Sequence, residues 1–150
     1  MAGQLDVDSL KGIPLFKELG PSELASVSTL FFEKVYTRNA TLFVEGMTGE
    51  ILYVIRKGTV NITKKGKGNE EIVLASLKEG EFLGEMSLID NRPRTATARV
   101  AEDSSLLVMT KKAFTTLLEK HPDIALKILL VFLRTANERL RKANESIKQV

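Results

Sequence analysis

The chain contains no cysteine, which removes disulfides, thiolate nucleophiles and Cys-ligated metals together. It contains a single histidine, His121, beside Pro122 at a helix junction. With no partner in the sequence pattern, that histidine reads as a surface or cap residue and not as a catalytic base. The carboxylates are not clustered, so the ligand set of a metal-assisted hydrolase is missing. Long apolar runs are absent too. The greasiest stretch, Ile124 to Leu133, is interrupted by Lys127 and falls well short of the roughly 20 residues of a membrane-spanning helix. The N-terminal region shows no basic start followed by an apolar run, so no signal peptide is read. These absences point to a cytoplasmic, non-membrane, non-enzymatic protein with no cofactor or metal.

What is present suits one ordinary domain. The 150 residues are 43% hydrophobic and 27% charged, within the globular range and enough to bury a core without staples. The net charge is +3, with basic residues spread along the chain. Small clusters occur at Lys64-Lys65-Gly66-Lys67 and from Arg139 to Lys142. No nucleic-acid reading element accompanies them, and the first is a solvated hairpin tip.

The texture changes twice along the chain. Residues 8–31 read as helical: Pro21 opens a helix with Glu23 in its first turn, and Leu24, Val27, Leu30 and Phe31 recur at helical spacing. Residues 32–110 alternate short β-rich runs with turn glycines, the signature of a sandwich or barrel. The runs include Thr41 to Val44, Ile51 to Ile55, Thr59 to Thr63 and Ile72 to Ala75. Residues 111–148 read as helical again, with Lys112 to Lys120 closed by His121-Pro122 and a second helix opened by Pro122 and Asp123. The expected fold class is α+β, one domain over 1–150: helices, an antiparallel β-roll, and a long C-terminal helix.

One segment, residues 80–98, stands apart. It places about a dozen residues where a hairpin needs only a few, and long ordered insertions between strands are often functional. Gly84 permits a backbone conformation closed to other residues or a close ligand approach. Residues 85–90 can form one or two helical turns, whose first N–H groups attract an anion. Arg94 adds a planar fork that matches a phosphate oxygen pair, and Thr95 adds a hydroxyl. Glu85 fits as an acceptor for a sugar hydroxyl beside that phosphate. An internal Glu85–Arg94 ion pair in a long turn is the plainer alternative. Thr97, alternating with alanines, reads as a strand residue, and Arg92 as a solvated loop residue.

The paired runs Phe82-Leu83-Gly84-Glu85-Met86-Ser87-Leu88 and Arg92-Pro93-Arg94-Thr95-Ala96-Thr97-Ala98 resemble the phosphate-binding cassette of the cyclic nucleotide-binding domain family. That family includes the catabolite activator protein, regulatory subunits of protein kinase A, and cyclic nucleotide-gated channels. Ile13-Pro14-Leu15-Phe16 and Tyr53-Val54-Ile55 before Gly58 extend the resemblance over nearly the whole chain. It implies a double-stranded β-helix of jelly-roll type.

It also implies roles. Glu85 would accept the ribose 2′-hydroxyl, and Arg94 would hold an oxygen of the cyclic phosphate. The Met86 and Ser87 amides and Thr95 would complete the phosphate shell, and Gly84 would lie against the ribose. Val73, Leu74, Phe82 and Leu83 would form walls. The ligand would be cAMP in preference to cGMP, although a Thr after the cassette arginine accompanies cGMP preference in some members.

Leu129, Leu133, Ala136, Leu140, Ala143 and Ile147 form a heptad-like seam, resembling the dimer helix of the catabolite activator protein and pointing to a homodimer. The same spacing suits a helix packed wholly on its own β-roll. In the family this helix also covers the base. Arg139 and Asn144 stand where such contacts would arise, across an insertion of about one turn. No DNA-binding domain follows within these residues, so the expectation is a sensor whose effector protein is unknown.

Overall fold

The structure, a computed structural model, describes residues 5–148, with side chains through Ser146. Two short 3-10 turns, Val7–Ser9 and Pro14–Phe16, lead into α1, Pro21–Ser28. Pro21 takes the first helical position, and Glu23 Oε1 accepts from the Gly20 amide at 3.0 Å, satisfying an orphan donor of the helix start.

Eight strands follow: β1 Phe32–Tyr36, β2 Thr41–Phe43, β3 Ile51–Lys57, β4 Val60–Lys65, β5 Glu71–Leu77, β6 Phe82–Leu83, β7 Thr97–Val100 and β8 Ser104–Thr110. One helical turn, α2 Met86–Ile89, interrupts them after β6. Helices α3, Lys111–Lys120, and α4, Pro122–Lys148, close the chain. The strands form two antiparallel four-stranded sheets, ordered β1-β8-β3-β6 and β2-β7-β4-β5. This is the expected antiparallel β-roll.

Sheet order explains the sequence texture of the central strands. On β3, Leu52 and Val54 face the helices, while Tyr53 and Ile55 face the interior of the roll. On β8, Leu107 and Met109 face the helices, and Leu106 and Val108 the roll. A strand covered on both faces reads as a continuous apolar run, not as an alternation. The helix-side core joins Phe16, Val27, Phe114, Leu117, Ile128 and Phe132 to β3 and β8. The inner core adds Val60, Leu77, Leu83, Ala98 and Val100.

Helix α4 is fixed along its first half. Ile124, Ala125, Ile128 and Phe132 are buried. Lys127 Nζ lies 2.9 Å from Glu23 Oε1, and Arg134 Nη1 lies 2.7 Å from Glu18 Oε1. Beyond Phe132 every side chain from Ala136 to Ser146 is exposed, although Arg139 still reaches back to the roll.

Candidate functional site

Strand β6 delivers the chain into Gly84, whose φ of +85° favours glycine. A Cβ there would stand 2.5 Å from the Ile51 carbonyl oxygen and 2.9 Å from Arg94 Nη1. Both the conformation and the space therefore require glycine. The α2 turn follows, with the Ser87 amide donating to the Gly84 carbonyl and the Leu88 amide to the Glu85 carbonyl, each at 3.1 Å.

The chain returns through residues 90–93 to Arg94. Its amide donates to the Met47 carbonyl, and its carbonyl accepts from the Gly46 amide, both at 2.8 Å. The side chain is 8% exposed. Arg94 Nη2 donates to the Ile51 carbonyl at 3.2 Å, and the guanidinium carbon sits 4.0 Å from the centre of the Phe43 ring. Arg94 Nε is buried without an acceptor. No carboxylate of the described residues lies within ion-pair distance of this guanidinium. Burial presses its pKa below the ordinary value, with Tyr53 and Glu85 opposing the shift.

These residues line a cavity of about 450 Å³, within the range of small-molecule sites. Glu85, 7% exposed, stands at its wall. Arg139 reaches in from α4: Nη1 donates to Glu85 Oε1 at 3.2 Å, and Nη2 to the Phe82 carbonyl at 3.0 Å. The alternative internal pair of Glu85 with Arg94 is not formed. Glu85 pairs with Arg139 instead.

Of the side chains and amides expected from sequence, Leu83, Gly84, Glu85, Met86, Ser87, Arg94, Thr95 and Arg139 meet at the cavity. The Ser87 amide is already committed to the α2 turn. Thr97 sits on β7, and its hydroxyl accepts from the Glu45 amide at 3.0 Å, a structural role. Arg92 is an exposed loop residue paired with Asp90, although it borders the cavity.

Four of the expected residues lie apart from the cavity. Phe82 turns away from the cavity into the helix-side core, its ring 5.2 Å from that of Phe132. Successive residues of a strand face opposite sides, so Leu83 alone reaches the roll. Val73 and Leu74 are 53% and 56% exposed and do not line the cavity. The register there runs Ile62↔Ala75 and then Thr63↔Val73, an extra residue on β5. Such a bulge moves Val73 to the face opposite Ala75. Asn144 is exposed on α4 and apart from the cavity. It lies five residues past Arg139, about 7.5 Å along the helix and well around its axis.

The sequence reading missed Phe43, Ile62, Ala75 and Leu77, which line the cavity with apolar surface. Leu77 and Ala75 carry a period-two signal, but the bulge beside them carries none.

Comparison with known proteins follows the same lines. A family model described as "Cyclic nucleotide-binding domain" matches residues 33–121. The chain is 33% identical over 135 residues to the Cyclic AMP receptor protein of Thermus thermophilus, covering 90% of this chain and 61% of that one. A cAMP-dependent protein kinase regulatory subunit of Mycosarcoma maydis is 34% identical over 73% of this chain and 22% of its own length. The chain thus spans less than two thirds of the curated relatives it matches. Among solved structures, a cyclic nucleotide-binding domain from Methylobacillus flagellatus superposes with a TM-score of 0.82 at 26% identity, covering 94% of this chain and 79% of that one. The N-terminal domain of a transcriptional regulator from Streptomyces coelicolor gives 0.73 at 33% identity, with 93% and 95% covered.

Proposed function

Because the chain belongs to the cyclic nucleotide-binding domain family, we propose that it is a sensor module that binds a cyclic nucleotide, cAMP in preference to cGMP, and reports occupancy through α4. The observation that carries this reading is Arg94, a buried cation at a cavity wall with no carboxylate partner among the described residues. Burying a charge unpaired is costly, and a cyclic phosphate in the cavity would supply the missing anion.

Each neighbouring group then has a role. Arg94 binds the phosphate by a charge-assisted contact, with the Met86 amide and Thr95 beside it. Gly84 lets the backbone approach the ribose. Glu85 accepts the 2′-hydroxyl with one oxygen while the other holds Arg139, since an ionised carboxylate offers about four acceptor sites. Ile62, Ala75 and Leu77 cover the base through its ring face. They read no base edge, so discrimination falls to the rim, where Thr95 and Arg139 stand. Preference for cAMP is supported by relatives named for it. Two carboxylates border the cavity, Glu85 and Asp90, and each is engaged by an arginine. That arrangement suits holding a ligand, not cleaving it.

A second copy of the chain completes the proposal. Leu126, Leu133 and Leu140 recur every seven residues on α4 and are 56%, 66% and 61% exposed. Leu129 of the expected seam packs against the helix-side core instead, Ala136 and Ala143 are exposed, and the Ile147 side chain lies outside the described residues. A seven-residue apolar stripe is self-complementary in a two-helix seam. Among the described residues no helix is long and apolar enough to cross a membrane, and a cytoplasmic place of action fits the cysteine-free composition.

Calorimetric titration of ligand-stripped protein with cAMP and cGMP tests this. Saturable binding, tighter for cAMP and lost in Arg94→Ala, is expected. Tighter cGMP binding would transfer the preference to Thr95, and no binding of either would overturn the sensor reading.

A further inference from the structure

Strand β2 carries a register shift: Thr41 pairs with Arg99, and Phe43 pairs with Ala98. One extra residue on β2 turns both Leu42 and Phe43 toward the inner core, which an unbroken strand cannot do with adjacent residues. The Phe43 ring thereby reaches the cavity and meets the Arg94 guanidinium 4.0 Å from its centre. Behind it stands Tyr53, ring centroid 6.3 Å away, and behind Tyr53 stands Tyr36 at 6.4 Å. The Tyr53 hydroxyl donates to the Leu42 carbonyl at 3.4 Å, which ties this aromatic column to the bulged strand.

Other contacts leave Arg94 underdetermined. Among the described residues its guanidinium has one acceptor, the Ile51 carbonyl. At Gly49 a Cβ would stand 2.5 Å from Nη2 and 2.7 Å from Nε, so that glycine supplies space and no hydrogen bond. A flexible side chain with one acceptor is not held in one orientation by hydrogen bonding alone.

We propose that Phe43 is a positioning residue for the anion site: its ring fixes the plane of the Arg94 guanidinium and so sets the affinity for the cyclic phosphate. The ring face attracts a guanidinium without using its donors. The forked N–H groups stay available to phosphate, which a carboxylate partner would not allow. This rests on the proposed role of Arg94 in phosphate binding.

The test is a double-mutant cycle read by calorimetry with cAMP. Phe43→Leu is expected to weaken binding about tenfold, and Phe43→Tyr to restore it to within about twofold. In the Arg94→Lys background, which keeps a cation and a weaker but measurable affinity, Phe43→Leu is expected to change little, because a lysine has no guanidinium plane for the ring to fix. Equal losses in both backgrounds, or none in either, would overturn the proposal. Should Phe43→Leu fail to fold, Phe43→Met replaces it. A second readout needs no ligand. The Arg94 Nε–H resonance should be displaced upfield by the ring in the parent chain and in Phe43→Tyr, and return to the ordinary arginine position in Phe43→Leu. An undisplaced parent resonance sinks the role of Phe43. Absence of cAMP binding with a displaced resonance sinks the phosphate reading alone.

Discussion

Arg139, on the exposed half of α4, donates to Glu85 at the head of the α2 turn, 3.2 Å away across 54 residues of sequence. The same guanidinium reaches the Phe82 carbonyl at 3.0 Å and lies 5.5 Å from the centre of the Phe82 ring. One side chain therefore ties the outgoing helix to β6 and to the head of the turn that would hold ribose and phosphate. A ligand shifts α4 only through contacts that differ between its positions, and this pair is where such a difference would arise.

Removing the pair should weaken binding and uncouple the two residues. Arg139→Ala is expected to lower cAMP affinity several-fold, in line with a half-exposed ion pair worth about 1 kcal/mol at most. Glu85→Ala should lower it about tenfold through the ribose contact. In the double variant, Arg139→Ala should add little. Strictly additive losses by titration calorimetry would mean that Arg139 does not act through Glu85.

Gly84→Ala should damage fold and site together. The substituent meets the Ile51 carbonyl oxygen at 2.5 Å with φ at +85°. Left-handed backbone alone costs about 1–2 kcal/mol for a residue with a Cβ. Urea unfolding should show at least that loss, accompanied by weaker cAMP binding. Unchanged stability would contradict that close approach.

The α4 stripe gives a third expectation. Leu133→Glu with Leu140→Glu should convert a dimer to a monomer in sedimentation velocity while leaving the thermal midpoint of the β-roll nearly unchanged, since both side chains are largely exposed. A parent chain that is monomeric at high micromolar concentration would remove the second copy from the account.

Acid should loosen the start of α1 and, with it, the tie from α1 to α4. The Gly20 amide, and after it Lys127, hold the Glu23 carboxyl below its ordinary 4.5. A carboxyl held low in the folded chain adds stability above its unfolded pKa and loses it as pH falls through the folded one. The stability difference between the parent and Glu23→Gln should therefore be full near neutrality and shrink below about pH 4.5. A difference independent of pH in urea titrations would contradict this.

The legible parts of the fold were those governed by period and punctuation. The apolar runs of β3 and β8, Pro21 and Pro122 at their helix starts, and the polar tip between β4 and β5 all follow from local rules. Strand β6 went unread because two residues, Phe82–Leu83, are too few to show alternation. The wall residues failed for a different reason. Bulges in β2 and β5 reverse side-chain parity, and bulges depend on pairing partners distant in sequence. Thus Val73 and Leu74 were expected where Ala75 and Ile62 stand, and Phe43 was missed. Arg139 was placed by resemblance, whereas Asn144 shares its helix but not its direction.

Arg94 reads as a buried cation awaiting an anion, and the sharpest test of this is thermal unfolding of the parent chain and Arg94→Met with and without cAMP. Without ligand, Arg94→Met should be as stable as the parent or more so, because an unpaired buried charge is gone. With cAMP at about 100 times its Kd, the parent should gain about 2.7 kcal/mol, a rise of roughly 5–10 °C in Tm, and Arg94→Met should gain nothing. That reversal of order is the predicted result. A variant that is destabilised without ligand, or that gains as much from cAMP as the parent does, would show that Arg94 belongs to the core and not to a binding site.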